Sequence, residues 1–129
     1  MAALMAPLGS QTHALLRIVV GLLFLCHGAS KLLGWPVPVP DGAPPLVLYV
    51  AGSIELFGGI LVMLGLYTRW AAFLCSGLMA AAYWMAHGTH ALFPIQNQGE
   101  LAVLYCFVFL FLSAHGAGIW SLDAARGAK

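Results

Sequence analysis

Glu55 stands in the stretch Gly52-Ser53-Ile54-Glu55-Leu56-Phe57-Gly58-Gly59, a single carboxylate inside an apolar run that extends from Pro45 to Leu66. If that run is a helix starting near Pro45, Glu55 lies about 15 Å along its axis, near the middle of a hydrocarbon slab about 30 Å thick. An intramembrane acid is costly unless it is paired or protonated, so its presence asks for a partner and a role. At about 100° per residue, Gly52, Gly58 and Gly59 fall within about 60° of Glu55, which puts the acid on the face where another backbone approaches closest. The side chain is therefore expected to point into a helix bundle.

The groups able to meet it are His27 and Lys31, one helical turn apart, together with His87 and Glu100. Axial counting places Glu55 about 13 Å, His27 about 10 Å and Lys31 about 5 Å below the outer surface, with His87 and Glu100 at the rim. One outward-opening polar nest of His27, Lys31, Glu55, His87 and Glu100 follows, in which Glu55 is expected to hydrogen-bond His27, Lys31 or both. Its chemistry suits a quinone or a lipid: a quinone carbonyl takes donors such as imidazole or ammonium, and its tail takes an apolar wall. Tyr49, Phe57, Tyr83 and Trp84 can build that wall. The same residues also admit a purely structural role, in which Lys31 or His27 neutralises Glu55 and Glu100 and keeps the helices in register.

Other chemistries find no residues. There is no Ser-His-Asp arrangement, phosphate loop or carboxylate dyad, so no catalytic residue is assigned. The five histidines include no pair at i,i+4, and no Cys-x-x-Cys occurs, so no metal site is expected. His13 and His90 read as solvated, and His115 as an interface histidine. Cys26, Cys75 and Cys106 each sit alone in an apolar run and read as small packed residues. A redox pair of Cys26 and Cys106, at similar depth on neighbouring helices, is the alternative.

The elements that must carry these residues follow from composition. Of 129 residues 62% are hydrophobic and only 7% charged, against about 25% in a soluble domain, and the net charge of +1 leaves no footprint for nucleic acid. Four apolar spans account for most of the chain, at about 12–33, 45–66, 70–87 and 99–122, in one all-α, integral membrane domain covering 1–129. Met1 to Gln11 reads as a disordered lead without the basic residue of a signal peptide. The proline-rich Gly34 to Pro44 reads as an interfacial loop, and Thr89 to Gln98 as a polar loop. The short Tyr67-Thr68-Arg69 link makes the second and third spans antiparallel neighbours. Arg17 lies near the inner end of the first span, where it is expected to snorkel. Arg17, Arg69, Arg126 and Lys129 fall on one side and Lys31 on the other, which places both termini in the cytoplasm.

Several motifs together resemble the DoxX family of small bacterial membrane proteins. They are Arg17 with Gly28, Lys31 and Gly34; Glu55 with Gly58-Gly59 and Gly65; Thr68-Arg69; Phe93-Pro94; the run Asn97-Gln98-Gly99-Glu100-Leu101-Ala102-Val103-Leu104-Tyr105; and Gly116-Ala117-Gly118 with Ser121-Leu122-Asp123. Many members read Gly-Pro-Gly where this chain has Gly116-Ala117-Gly118. The resemblance implies a four-helix bundle in the bacterial cytoplasmic membrane, linked to quinol oxidases, thiosulfate:quinone oxidoreductases and oxidative-stress complexes. It supplies no agreed catalytic residue.

Three readings follow. The first is a non-catalytic accessory subunit of a quinone-linked oxidoreductase, with a quinone or lipid pocket at the nest. The second is a small-solute transporter or pore, which four helices could form only as a homo-oligomer. The third is an assembly scaffold whose polar residues serve its own bundle.

Overall fold

A computed structural model describes residues 6–127, which contain helices and loops and no strand. After a 3-10 turn, helix α1 runs Gly9–Leu33, followed by α2, Leu46–Leu64, and α3, Thr68–Ala86. The short α4, Pro94–Asn97, leads into α5, Glu100–His115, and a final turn α6 covers Leu122–Ala125. The first three long helices begin and end within three residues of the expected spans, α1 by starting at Gly9 and α3 by starting at Thr68. The expected lead falls partly outside the described residues, at Met1 to Met5, as does Lys129. The expected loop from Thr89 to Gln98 contains α4.

Helices α1 and α2 touch backbone to backbone. A Cβ built at Gly59 would lie 2.5 Å from the Leu25 nitrogen, and one at Gly28 would overlap the Leu56 backbone. Only glycine permits that approach, and it brings the last turn of α1 over the middle of α2. Gly28→Ala should therefore lower stability by about 1 to 3 kcal/mol, since overpacking here pushes on backbone and not on a mobile side chain. Gly77 on α3 supplies the control, because a Cβ there meets nothing within 4 Å. Thermal melts in one detergent should show Gly28→Ala melting well below the parent and Gly77→Ala at or above it.

The pair α3 and α5 is joined by the Ser76 hydroxyl, which donates to the Cys106 carbonyl at 2.8 Å. Aromatic rings then fasten the two pairs together: Phe24 of α1 meets Phe109 and Tyr105 of α5 at centroid distances of 4.6 and 5.4 Å. Val62, Ala72, Cys75 and Leu112 complete a core with almost no exposure, and all three cysteines are free thiols. Polarity is distributed inside out. Arg17, Glu55, Thr68, Ser76 and Asn97 are buried, whereas Leu22, Phe57, Phe73 and Phe107 point away from the protein. A soluble domain does not leave so many large apolar side chains uncovered. Helices α1 and α2 are each long and apolar enough to cross a bilayer.

Two expectations are corrected at the Arg17 end. Arg17 does not snorkel; it is 0% exposed and its guanidinium is enclosed by backbone carbonyls. Its Nε donates to Ala117 O at 2.9 Å, Nη1 to Val62 O and Met63 O at 2.9 and 2.5 Å, and Nη2 to Trp120 O at 2.7 Å, with Ile119 O at 3.4 Å. The fourth helix consequently stops at His115 and does not continue to Leu122. A longer helix would hold those carbonyls in its own ladder, and the chain instead turns through left-handed Gly116 and Gly118, at φ 83° and 67°, to present them to Arg17. Val62 and Met63 lie in the last turn of α2, where carbonyls run short of intrahelical donors, Val62 O taking one bond from the Gly65 N–H at 3.1 Å, and a cation meets the negative end of the helix dipole.

Two further charges close helix ends here. Arg69 Nη1 donates to Ser113 O and Ala114 O at the end of α5, at 3.1 and 2.5 Å. Asp123 accepts from the Tyr67 and Thr68 N–H groups at the start of α3, both at 2.9 Å, while its own N–H donates to Gly65 O at 2.8 Å. Burial pushes the Asp123 carboxyl up, but the bonds from Thr68 and Tyr67 outweigh it and hold the group below its ordinary range. Its depressed pKa means that the cap contributes fully above the usual carboxylate pKa and is lost as pH falls through the lower, folded value. Asp123→Asn should remove about 1 kcal/mol near neutrality and flatten the acid side of the melting-temperature profile relative to the parent.

Candidate functional site

Lys31 leaves the last turn of α1 and reaches down to Glu55 on α2, with Nζ 2.5 Å from Oε2. The close α1–α2 approach at Gly28 makes this reach short enough for a lysine. The pair is sequestered: the side chains of Lys31 and Glu55 are 18% and 5% exposed. In so enclosed a position each charge stabilises the other, and neither could remain charged alone without a large desolvation cost.

Glu55 borders two cavities, and Lys31 borders the larger of them. One, of about 260 Å³, lies among α1, α2, α3 and α5 and is lined by Phe24, His27, Glu55, Met79, His87 and Tyr105. The other, of about 410 Å³, lies between α2 and α3; Lys31, Glu55 and His87 are its polar groups, and Val47, Val50 and Met85 are among its apolar ones. Glu55, Met79, Ala82 and His87 border both. Small apolar cavities with a few convergent polar groups are the usual form of a small-molecule site.

The other predicted residues are placed unequally. His27 lines the smaller cavity and sets its ring edge-on to Tyr105, 6.1 Å between centroids, but does not bond to Glu55. His87 lies beyond the last turn of α3 and borders both cavities, with Nδ1 2.9 Å from the Asn97 carbonyl. A carbonyl can only accept, so Nδ1 carries a hydrogen and donates it. Glu100 is exposed in the first turn of α5 and borders neither cavity. It stands apart from the nest, and its charge faces the favourable end of the helix dipole. Asn97 is the residue that sequence reasoning passed over. It is buried, and its side chain donates to Tyr83 Oη and Ala91 O at 3.2 and 3.0 Å and accepts from Gly99 N at 2.8 Å, which fixes the carbonyl that orients His87. Its place among other polar residues, between Gln96 and Gln98, left no signal to single it out.

Among the described residues no group of His, Cys, Asp and Glu could hold a metal ion. The charged and imidazole groups at the cavity edges are the Glu55 carboxylate and the His87 imidazole in both, the His27 imidazole in the smaller and the Lys31 ammonium in the larger.

The DoxX family model matches residues 12–88, a stretch that contains His27, Lys31, Glu55 and His87. The chain belongs to the DoxX family. An uncharacterized Haemophilus influenzae protein is 46% identical over 117 residues, covering 85% of this chain and 87% of its own. A Bacillus subtilis protein carrying the provisional name oxidoreductase CatD is 42% identical over 59 residues, 43% of this chain and 44% of its own. No solved structure matches the chain. The part of the DoxX fold that holds the ion pair is thus the part the family model covers.

Proposed function

We propose that this DoxX protein is an accessory subunit of a quinone-linked oxidoreductase or redox complex in the bacterial cytoplasmic membrane. It spans the membrane four times as a helical bundle with both termini cytoplasmic, and holds a quinone or lipid headgroup against Lys31 and Glu55. Catalysis belongs to the partner. The observation that carries this reading is the Lys31–Glu55 pair set in the wall of the larger apolar cavity, with Glu55 bordering the smaller one as well. An ion pair serving only the bundle would be packed on all sides. The apolar exterior supports lipid contact, the excess of basic residues at the Arg17 end supports the orientation, and the name of the Bacillus subtilis relative supports the redox association.

Purification in mild detergent followed by native mass spectrometry tests it, because partner and retained ligand are read together. The expected spectrum shows a bound quinone or lipid mass that is lost in Lys31→Met, and co-purifying subunits. A stable chain that carries neither ligand nor subunit would overturn the reading. A ring-shaped homo-oligomer would favour a transport pathway instead.

A further inference from the structure

The two oxygens of Glu55 are not equivalent. Oε2 holds the Lys31 ammonium at 2.5 Å, whereas among the described residues nothing donates to Oε1. Among the described residues the sealed side-chain oxygens and nitrogens left without a partner are Gln11 Oε1, His13 Nε2 and Thr68 Oγ1, and Glu55 Oε1 is not one of them. Glu55 is 4% exposed and borders both cavities, so its unbonded oxygen is the acceptor it offers to them. Oε1 can only accept. This holds whether the shared proton rests on Lys31 or on Oε2, since the remaining oxygen then is a carboxylate or a carbonyl oxygen.

The larger cavity is bordered by both Glu55 and Lys31, and one Nζ–H is spent on Oε2, which leaves two donors. A ligand oxygen in this corner therefore meets an acceptor and a donor together. A hydroxyl satisfies both, giving its hydrogen to Oε1 and taking one from Nζ. A carbonyl oxygen satisfies only the lysine and turns a lone pair toward Oε1. Buried polar groups left unpaired are what makes a site reject an analogue lacking a hydroxyl.

We propose that the Lys31–Glu55 corner selects the hydroxyl-bearing, reduced form of a quinoid lipid, with Glu55 Oε1 accepting the phenolic O–H. This rests on the proposed pocket at the same pair and adds to it the oxidation state of the occupant. No electron transfer within this chain is involved.

The test is equilibrium binding of decylubiquinone and of its hydroquinone, kept reduced under anaerobic conditions, to the full chain in detergent. The hydroquinone should bind at least about tenfold more tightly, in keeping with a hydrogen bond to a charged group. Its dimethyl ether, which has the same ring and tail without O–H, should bind no better than the quinone. In Glu55→Gln, whose amide can also donate, the preference should shrink below about threefold. The dimethyl ether comparison uses the unaltered protein, so it decides the matter even if Glu55→Gln does not fold. Equal binding of both oxidation states, or tight binding of the dimethyl ether, overturns the selection while leaving the pocket standing. Binding of neither form overturns the pocket and the selection with it.

Discussion

Arg17→Ala should unfold this protein or lower its stability by about 3 to 5 kcal/mol. The guanidinium is fully buried and holds carbonyls from two separate segments, Val62 and Met63 at the end of α2 and Ala117, Ile119 and Trp120 in the chain after α5. Truncation takes the side-chain donor from all of these carbonyls and leaves Val62 O only its bond from the Gly65 N–H, and each buried unpaired group costs about 1 to 3 kcal/mol before any relaxation. The total is a large part of the roughly 5 to 15 kcal/mol that keeps an ordinary domain folded, so poor expression is an expected outcome in itself. Arg17→Lys is the informative variant. An ammonium offers three donors on one point, without the planar fork that reaches Ala117 on one edge and Val62 and Trp120 on the others, so it should recover roughly half of the lost stability. Melting curves in a single detergent measure the loss. Hydrogen exchange locates it: protection should fall first across residues 116–121, whose path depends on the guanidinium.

The second large effect belongs to Lys31. Lys31→Met strands Glu55 in an enclosed site, and the acid must take up a proton or destabilise the fold by about 3 to 5 kcal/mol. Adding Glu55→Gln removes the stranded charge, so the double variant should be more stable than Lys31→Met alone. The coupling read from the four melting curves should be about 1 to 3 kcal/mol, as found for groups in direct contact. Additive effects would mean that the 2.5 Å contact contributes nothing in solution. The cycle also separates the two meanings of the pair. Ligand binding that disappears in the double variant while its stability is largely restored assigns the residues to the site, whereas unchanged binding assigns them to the bundle.

The helical class, the approximate limits of the first three long helices and the identity of the central acid are legible in the amino-acid sequence. These follow from local physics: apolar runs of spanning length, prolines and glycines that stop helices, and a carboxylate that no apolar segment tolerates without a partner. The sequence also narrowed that partner to His27 or Lys31. Tertiary structure decided between them, because the choice depends on how far α1 slides along α2, and Gly28 against the Leu56 backbone sets that register. Rotation of α5 was likewise beyond local reading; it turns Glu100 outward from the nest and Tyr105 inward to His27. The end of α5 shows the limit most plainly. Residues 116–122 have no strong helix stop other than two glycines, and their carbonyls leave the helical ladder because Arg17, 100 residues away from Ala117 in sequence, offers them a better donor. A contact of that separation exists only once α1, α2 and α5 have assembled, so no window of the sequence could contain it.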